Sequence, residues 1–210
     1  VSHLASVLIL QGIDYRTWQK MGDLSTISSA IGLHQLNGDE DCPFFLTEIR
    51  KRVMASAYAM DKELATTLGR PPRICSRYCH IQLPLDLSDV EITASPEEID
   101  LALQKLDANG WNTCGEPSHE VKLRIAVLTS LIRENTLELS MCNSTSDLEA
   151  KVEYVIFSVR KTYCDINPKT TRQYSCPINV SLFIEKSFRM LARCSKIFQH
   201  IYVGRLFLQE

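Results

Sequence analysis

Glycine and proline are scarce, at eight each in 210 residues. That scarcity argues against a turn-rich β-sandwich, and the scattered glycines leave no raw material for a phosphate-cradling loop. Long apolar runs are missing too: the longest near the N-terminus, Val7 to Leu10, is far too short to span a bilayer, so no membrane partner is expected. Neither sign of charge dominates. A formal net charge of -2 gives the chain no electrostatic footprint for wrapping nucleic acid.

The eight cysteines (Cys42, Cys75, Cys79, Cys114, Cys142, Cys164, Cys176, Cys194) contain no Cys-x-x-Cys pair and lie at irregular spacings. Reduced, mostly buried thiols in an intracellular protein fit this pattern best. Cys75-x-x-x-Cys79-His80 is the one local group of soft ligands, and zinc needs four converging groups. Cys114 with His119 would have to complete it in space, and no second cluster has matching spacing. No Gly-x-Ser-x-Gly turn or orienting third group accompanies a nucleophile. Neither a catalytic residue nor a metal or cofactor is therefore expected in this chain.

What the chain has in quantity is helical periodicity, with 45% hydrophobic residues to bury. Leu4, Val7, Leu8 and Gln11 begin one stripe, which stops at Gly12. A second opens near Asp14 with Tyr15, Trp18, Met21, Ile27 and Ile31. The third is the best defined: Ile49, Val53, Ala57, Met60, Leu64 and Leu68 keep to one face, with Arg50, Lys51, Lys62 and Glu63 largely off it. Gly69 then stands where a left-handed residue ends a helix, and Pro71 and Pro72 cannot continue it. Asp61, near the apolar stripe, needs a partner, and Arg70 offers a planar fork for it.

Ser95-Pro96-Glu97-Glu98 is a capping box that opens a helix carrying Ile99, Leu103 and Leu106, expected to end at Asn109-Gly110. The loop between Gly110 and Gly115 is expected to bury Trp111. Ser118 begins a helix through Val121, Ile125, Leu128, Leu131 and Ile132. Ser146 with Glu149 begins another through Leu148, Val152, Val155 and Val159, and a last long helical stretch runs from about Ile178 to Leu208. The expectation is an all-α chain of about seven amphipathic helices, forming one domain over residues 1–210. Because it begins at Val1 inside a helical pattern, it reads as a piece of something longer.

Charge is unevenly placed. Glu48 to Arg77 carries seven Lys/Arg against three Asp/Glu, and Leu85 to Asp107 carries seven Asp/Glu against Lys105 alone. The two stretches suit each other or are solvated faces of opposite sign, with phosphate binding the sharper reading of the first.

These residues resemble the regulatory middle homology region of fungal zinc-cluster transcription factors. Trp18-x-x-x-Gly22, then Ala-Ile-Gly-Leu-His ending in Gly32, Leu33 and His34, is similar to the pattern of that family's second helix and the turn before an acidic loop. The run from Glu48 to Ile74 resembles its signature, an arginine-led helix with Asp61 near the middle and Leu68-Gly69-Arg70-Pro71-Pro72 as its stop, followed by Leu83-Pro84. The likeness covers residues 4–84 best. Ala55 departs from the usual Trp, and Cys75-Ser76-Arg77 from the acidic residues often found past the stop. The final Phe198 to Glu210 is only faintly similar to the family's closing helix.

The resemblance implies a regulatory and interaction domain of a nuclear protein controlling RNA polymerase II transcription. Promoter DNA would be contacted by an N-terminal module with six cysteines and two zinc ions, lying outside this chain, so no residue here inherits zinc or DNA contact. Co-regulators, a metabolite effector and a homodimer are the partners it suggests, with Arg70 as the candidate effector contact and the other motif residues structural. The alternative is a helical adaptor or small-molecule receptor domain without DNA binding.

Overall fold

A computed structural model describes residues 14–35, 42–114 and 119–139, together with 147, 150–155, 157, 158, 161 and 162. The first predicted helix, the Ser146–Glu149 capping box and the last helical stretch lie outside the described residues. The chain divides into units of residues 1–131 and 132–210. All regular structure among the described residues is helical, and one isolated bridge joins Leu106 to Asn112.

Helix α1 spans Asp14–Ala30. Its buried face is Met21 and Ser28 with Leu24 beside them, whereas Tyr15, Ile27 and Ile31 are exposed. Ile27 lies well round the helix from Met21, and Ile31 falls beyond the last turn, so the predicted stripe was too wide. The stop is chemical: Gly32 has φ 73, the Leu33 N–H reaches back to Ser28 O at 2.9 Å, and Leu33 packs on the core. This is the six-to-one closure of a Schellman motif, with glycine where a Cβ would be strained.

Helix α2, Phe44–Leu68, has 25 residues and is roughly 37 Å long at the α-helical rise. It forms the centre of the first unit: Met54, Ala55, Ala57, Tyr58 and Leu64 cluster with Met21, Ile74 and Val127. Ala55, where the resemblance leads one to expect Trp, is fully buried, so an indole there would require its neighbours to repack. The predicted stripe holds from Ala57 onward but fails before it, because Ile49 and Val53 are 40% and 43% exposed. Glu48 and Arg52 occupy the inward face instead.

After α2 the chain runs without regular structure to α3 (Asp89–Ile92), α4 (Pro96–Leu103) and α5 (His119–Leu139). Both short helices open on capping boxes. In the predicted one, Glu98 accepts from the Ser95 N–H at 3.1 Å and from its hydroxyl at 3.0 Å. The other pairs Ser88 with Glu91. Burial pushes the Glu91 carboxyl up, but the Ser88 bonds and then Lys105 outweigh it and hold it below the usual range. Its contribution to stability is therefore present above the ordinary glutamate pKa and is lost as pH falls.

Helix α4 ends at Leu103 rather than near Asn109. The carboxylate of Asp107 takes the N–H groups of Asn109 and Trp111 at 2.9 and 3.0 Å, and Gly110 turns at φ 76. A side chain that satisfies nearby backbone donors removes the reason to continue the helix. Leu87, Ile92 and Ala102 form a small second core there. Trp111 is buried, as expected of the loop that carries it. In the second unit, Ile132, Leu139, Val152 and Val155 are buried.

At the end of α2, Gly69 is left-handed, with φ 63 and ψ 35, and no atom lies within 4 Å of where its Cβ would sit. Replacing Gly69 with Ala should therefore cost only the backbone strain, about 1 kcal/mol, read as a lower urea midpoint with an unchanged slope. An unchanged midpoint would show that the stop does not depend on this conformation.

Candidate functional site

The residues singled out by sequence meet around the segment that follows the α2 stop. Gly69 and Arg70 both direct their N–H groups to Ala65 O, which closes the helix and turns the chain back along it. Directly after the prolines, Asp61 receives the chain. One carboxylate oxygen accepts from Arg73 N–H at 2.9 Å, and the other accepts from Ile74 N–H at 2.9 Å and from Lys62 Nζ at 3.0 Å.

Lys62 was expected on the solvated face, yet none of it is exposed. Its ammonium donates to Ile74 O and to Asp61 and stands 4.5 Å from the Tyr58 ring centroid. The reason is local: Ile74 sits in the core, so both its N–H and its C=O need partners there, and an Asp-Lys doublet supplies one of each. The carboxylate that the sequence suggested for Arg70 is thus engaged by the backbone of residues 73 and 74.

Arg70 lies over Trp18, its guanidinium carbon 5.1 Å from the ring centroid, and Arg73 lies over the same ring at 3.8 Å. Trp18 and Gly22, four apart, share one face of α1. A Cβ on Gly22 would come within 2.9 Å of the Arg73 guanidinium, so the bare residue is what lets that group lie flat beside the indole. Trp18-x-x-x-Gly22 is a seat for Arg73. His34 joins the assembly through its backbone, its C=O accepting the His80 N–H at 3.0 Å.

Further along, buried charges repeat the device. Glu48 accepts Leu85 N–H at 2.9 Å and Lys51 at 2.6 Å. Arg52 donates to Leu87 O at 2.6 Å and pairs with Asp89 at 2.5 Å and Glu120 at 2.8 Å. The Arg52–Asp89 pair joins the basic stretch to the acidic one. Arg124, wholly buried, donates to Pro84 O and, at 2.6 Å, to Asn109 O, and stacks 4.2 Å from the Trp111 ring. Burial pushes its guanidinium down, opposed by Asp86, then Asp107 and Glu48. These carriers were missed in the sequence, although an arginine three residues from Val121 and next to Ile125 on an apolar face was a readable signal.

Among the described residues, no group of three His, Cys, Asp or Glu side chains converges as metal ligands. Cys42, Cys75 and Cys79 are half-buried, outside any disulfide, and Cys114 is exposed, so the thiols described are less buried than expected. No helix among the described residues is long and apolar enough to cross a membrane. The arrangement is a set of ties between helices and an irregular segment, with Arg70 and Arg73 at its outer edge.

Breaking the doublet tests the tie. Lys62→Met and Asp61→Asn should each cost about 3–5 kcal/mol, because each strands a buried charge, and the double variant should cost clearly less than their sum. Additive losses in urea unfolding would overturn the coupling. For Gly22→Ala we expect Arg73 to be displaced from Trp18, seen as a change in tryptophan fluorescence. Stability should change by no more than about 1 kcal/mol, since the methyl meets the end of a flexible side chain and improves helix propensity. Unaltered fluorescence would mean the stack does not form.

Pyrimidine pathway regulatory protein 1 of Saccharomyces cerevisiae is 30% identical over 83 residues, which is 40% of this chain and 9% of that protein. The matched stretch is thus a small part of the relative's length. No solved structure matches the chain. The family described as "Fungal specific transcription factor domain" matches residues 10–201, nearly the whole chain, and the chain belongs to that family.

Proposed function

We propose that the chain is the regulatory and interaction domain of a fungal nuclear transcription factor acting on RNA polymerase II genes. Promoter DNA is contacted by a zinc-cluster module outside these 210 residues. The zinc belongs to that module. The observation that carries this reading is the family match over residues 10–201, in a family of transcription factors rather than enzymes. The likeness to a yeast pathway regulator points the same way.

The geometry supports a regulatory role in a specific manner. Charged groups are spent on holding an irregular segment against α1 and α2, which makes a firm scaffold rather than a nucleic-acid face. Arg70 is a structural tie to Trp18 in this reading. Co-regulators and a metabolite effector are its natural partners, and a homodimer is compatible with it.

The test begins with the coding sequence upstream of Val1, which should encode six cysteines with Cys-x-x-Cys spacing. In the full-length protein, removal of these residues should alter regulated reporter output while promoter occupancy persists. An upstream region without the cluster, in a protein that captures partners but never occupies promoters, would favour the adaptor reading instead. An Arg70→Ala protein should lose stability and reporter control together. Normal stability with a lost effector response would make Arg70 an effector contact.

A further inference from the structure

One cleft in the first unit is not accounted for by the ties described above. It opens where the turn after α1, the first half of α2 and the extended segment after Cys79 meet. Its volume is about 40 Å³. A single water needs roughly 10–15 Å³ on this measure, so the cleft holds something the size of a few waters. It is much smaller than the roughly 300–1,000 Å³ of a site that encloses a whole drug-sized ligand. A carboxylate or phosphate group, with the rest of its molecule outside, matches the space.

The lining chemistry is cationic and donor-rich. Arg50, Lys51 and Thr47 come from α2, Gln35 from the turn after α1, and His80 and Gln82 from the extended segment. Leu33 and Met54 supply apolar wall. Lys51 is neutralised by Glu48 at 2.6 Å, and the second oxygen of Glu48 is used by Leu85 N–H. Arg50 is half-buried and has no carboxylate partner among the described residues. Among the described residues the excess positive charge of the cleft is therefore a guanidinium, whose planar fork suits two-point bonding to a carboxylate or phosphate. The amides of Gln35 and Gln82 add neutral donors from either side.

We propose that this cleft binds a small organic anion through its carboxylate or phosphate group, with Arg50 as the two-point donor and Gln35, Gln82 and His80 around it. A bound anion would meet the cationic lining with charge of the opposite sign, and the guanidinium fork gives it two donors. The site stands whether or not the chain regulates transcription. If it does, this is where a metabolite would act on it.

The test is direct binding to the 210-residue chain, with inorganic phosphate and succinate as probes and chloride at matched ionic strength as reference. At least one probe should bind saturably by calorimetry and raise the melting temperature with the logarithm of its concentration. Which probe binds separates a phosphate ligand from a carboxylate one. Arg50→Gln should weaken binding by about tenfold or more, and Arg50→Lys, which keeps the charge but loses the fork, should also weaken it. Lys20→Gln removes an exposed cation from the Lys20–Asp23 pair on α1 and should leave binding unchanged. If both probes act only as chloride does, or if Lys20→Gln weakens binding as much as Arg50→Gln, the proposal is wrong. The Arg50→Lys variant keeps the test decisive should Arg50→Gln unfold. A failure here leaves the promoter and reporter results standing, so the two readings fail separately.

Discussion

The structure depends on buried charges that satisfy a backbone with no regular partner. Between α2 and α3 the chain passes through or beside the core as neither helix nor strand, so its N–H and C=O groups have no ladder to join. Left unpaired, each would cost about 1–3 kcal/mol. Asp61 and Lys62 serve Arg73 and Ile74, Glu48 serves Leu85, Arg52 serves Leu87, and Arg124 serves Pro84. A carboxylate has several acceptor sites and a guanidinium several donors, so one side chain can hold two or three backbone groups at once. Neither partner is favourable alone. A buried charge is tolerated because the backbone saturates it, and the irregular backbone is tolerated because the charge is there.

That reciprocity ties together features far apart in the chain. The Asp61 tie fixes residues 73 and 74, and this places Arg73 over Trp18 beside Gly22. The same segment continues to His80, whose N–H meets His34 just past the turn made by Gly32. Trp18-x-x-x-Gly22, Gly32-Leu33-His34 and Leu68-Gly69-Arg70-Pro71-Pro72 are thus three sides of one assembly around residues 70–80. Each marker has a physical reason to accompany the others, because all three hold the same segment in place.

Local chemistry was legible in the sequence and reciprocal chemistry was not. Gly69 and the prolines announce a stop from residues within one turn, and Ser95 with Glu98 announces a start. The inner face of α2 depends on partners that come from elsewhere. Ile49 and Val53 fit an apolar stripe by spacing alone, but the inward positions are taken by Glu48 and Arg52, which Leu85, Leu87 and Asp89 require. Lys62 looked like a surface lysine because nothing within a turn of it shows that Ile74 will need a donor. The readable hint was the doublet itself, adjacent opposite charges beside a buried tyrosine in a helix that is otherwise mostly apolar on that side.

The same pairing decides what the basic stretch can do. Electrostatic binding to nucleic acid scales with the number of phosphates that mobile, solvated cations neutralise. Of the cations between Glu48 and Arg77, Arg52 and Lys62 are buried in ties, Lys51 is held by Glu48, and Arg70 and Arg73 lie on Trp18. Using them on phosphates would mean breaking the contacts that hold the return segment, at a cost that surface binding energies do not offset. A stretch that looks basic in sequence is therefore mostly internal wiring. Arg50 instead lines the small cleft, with no carboxylate partner among the described residues.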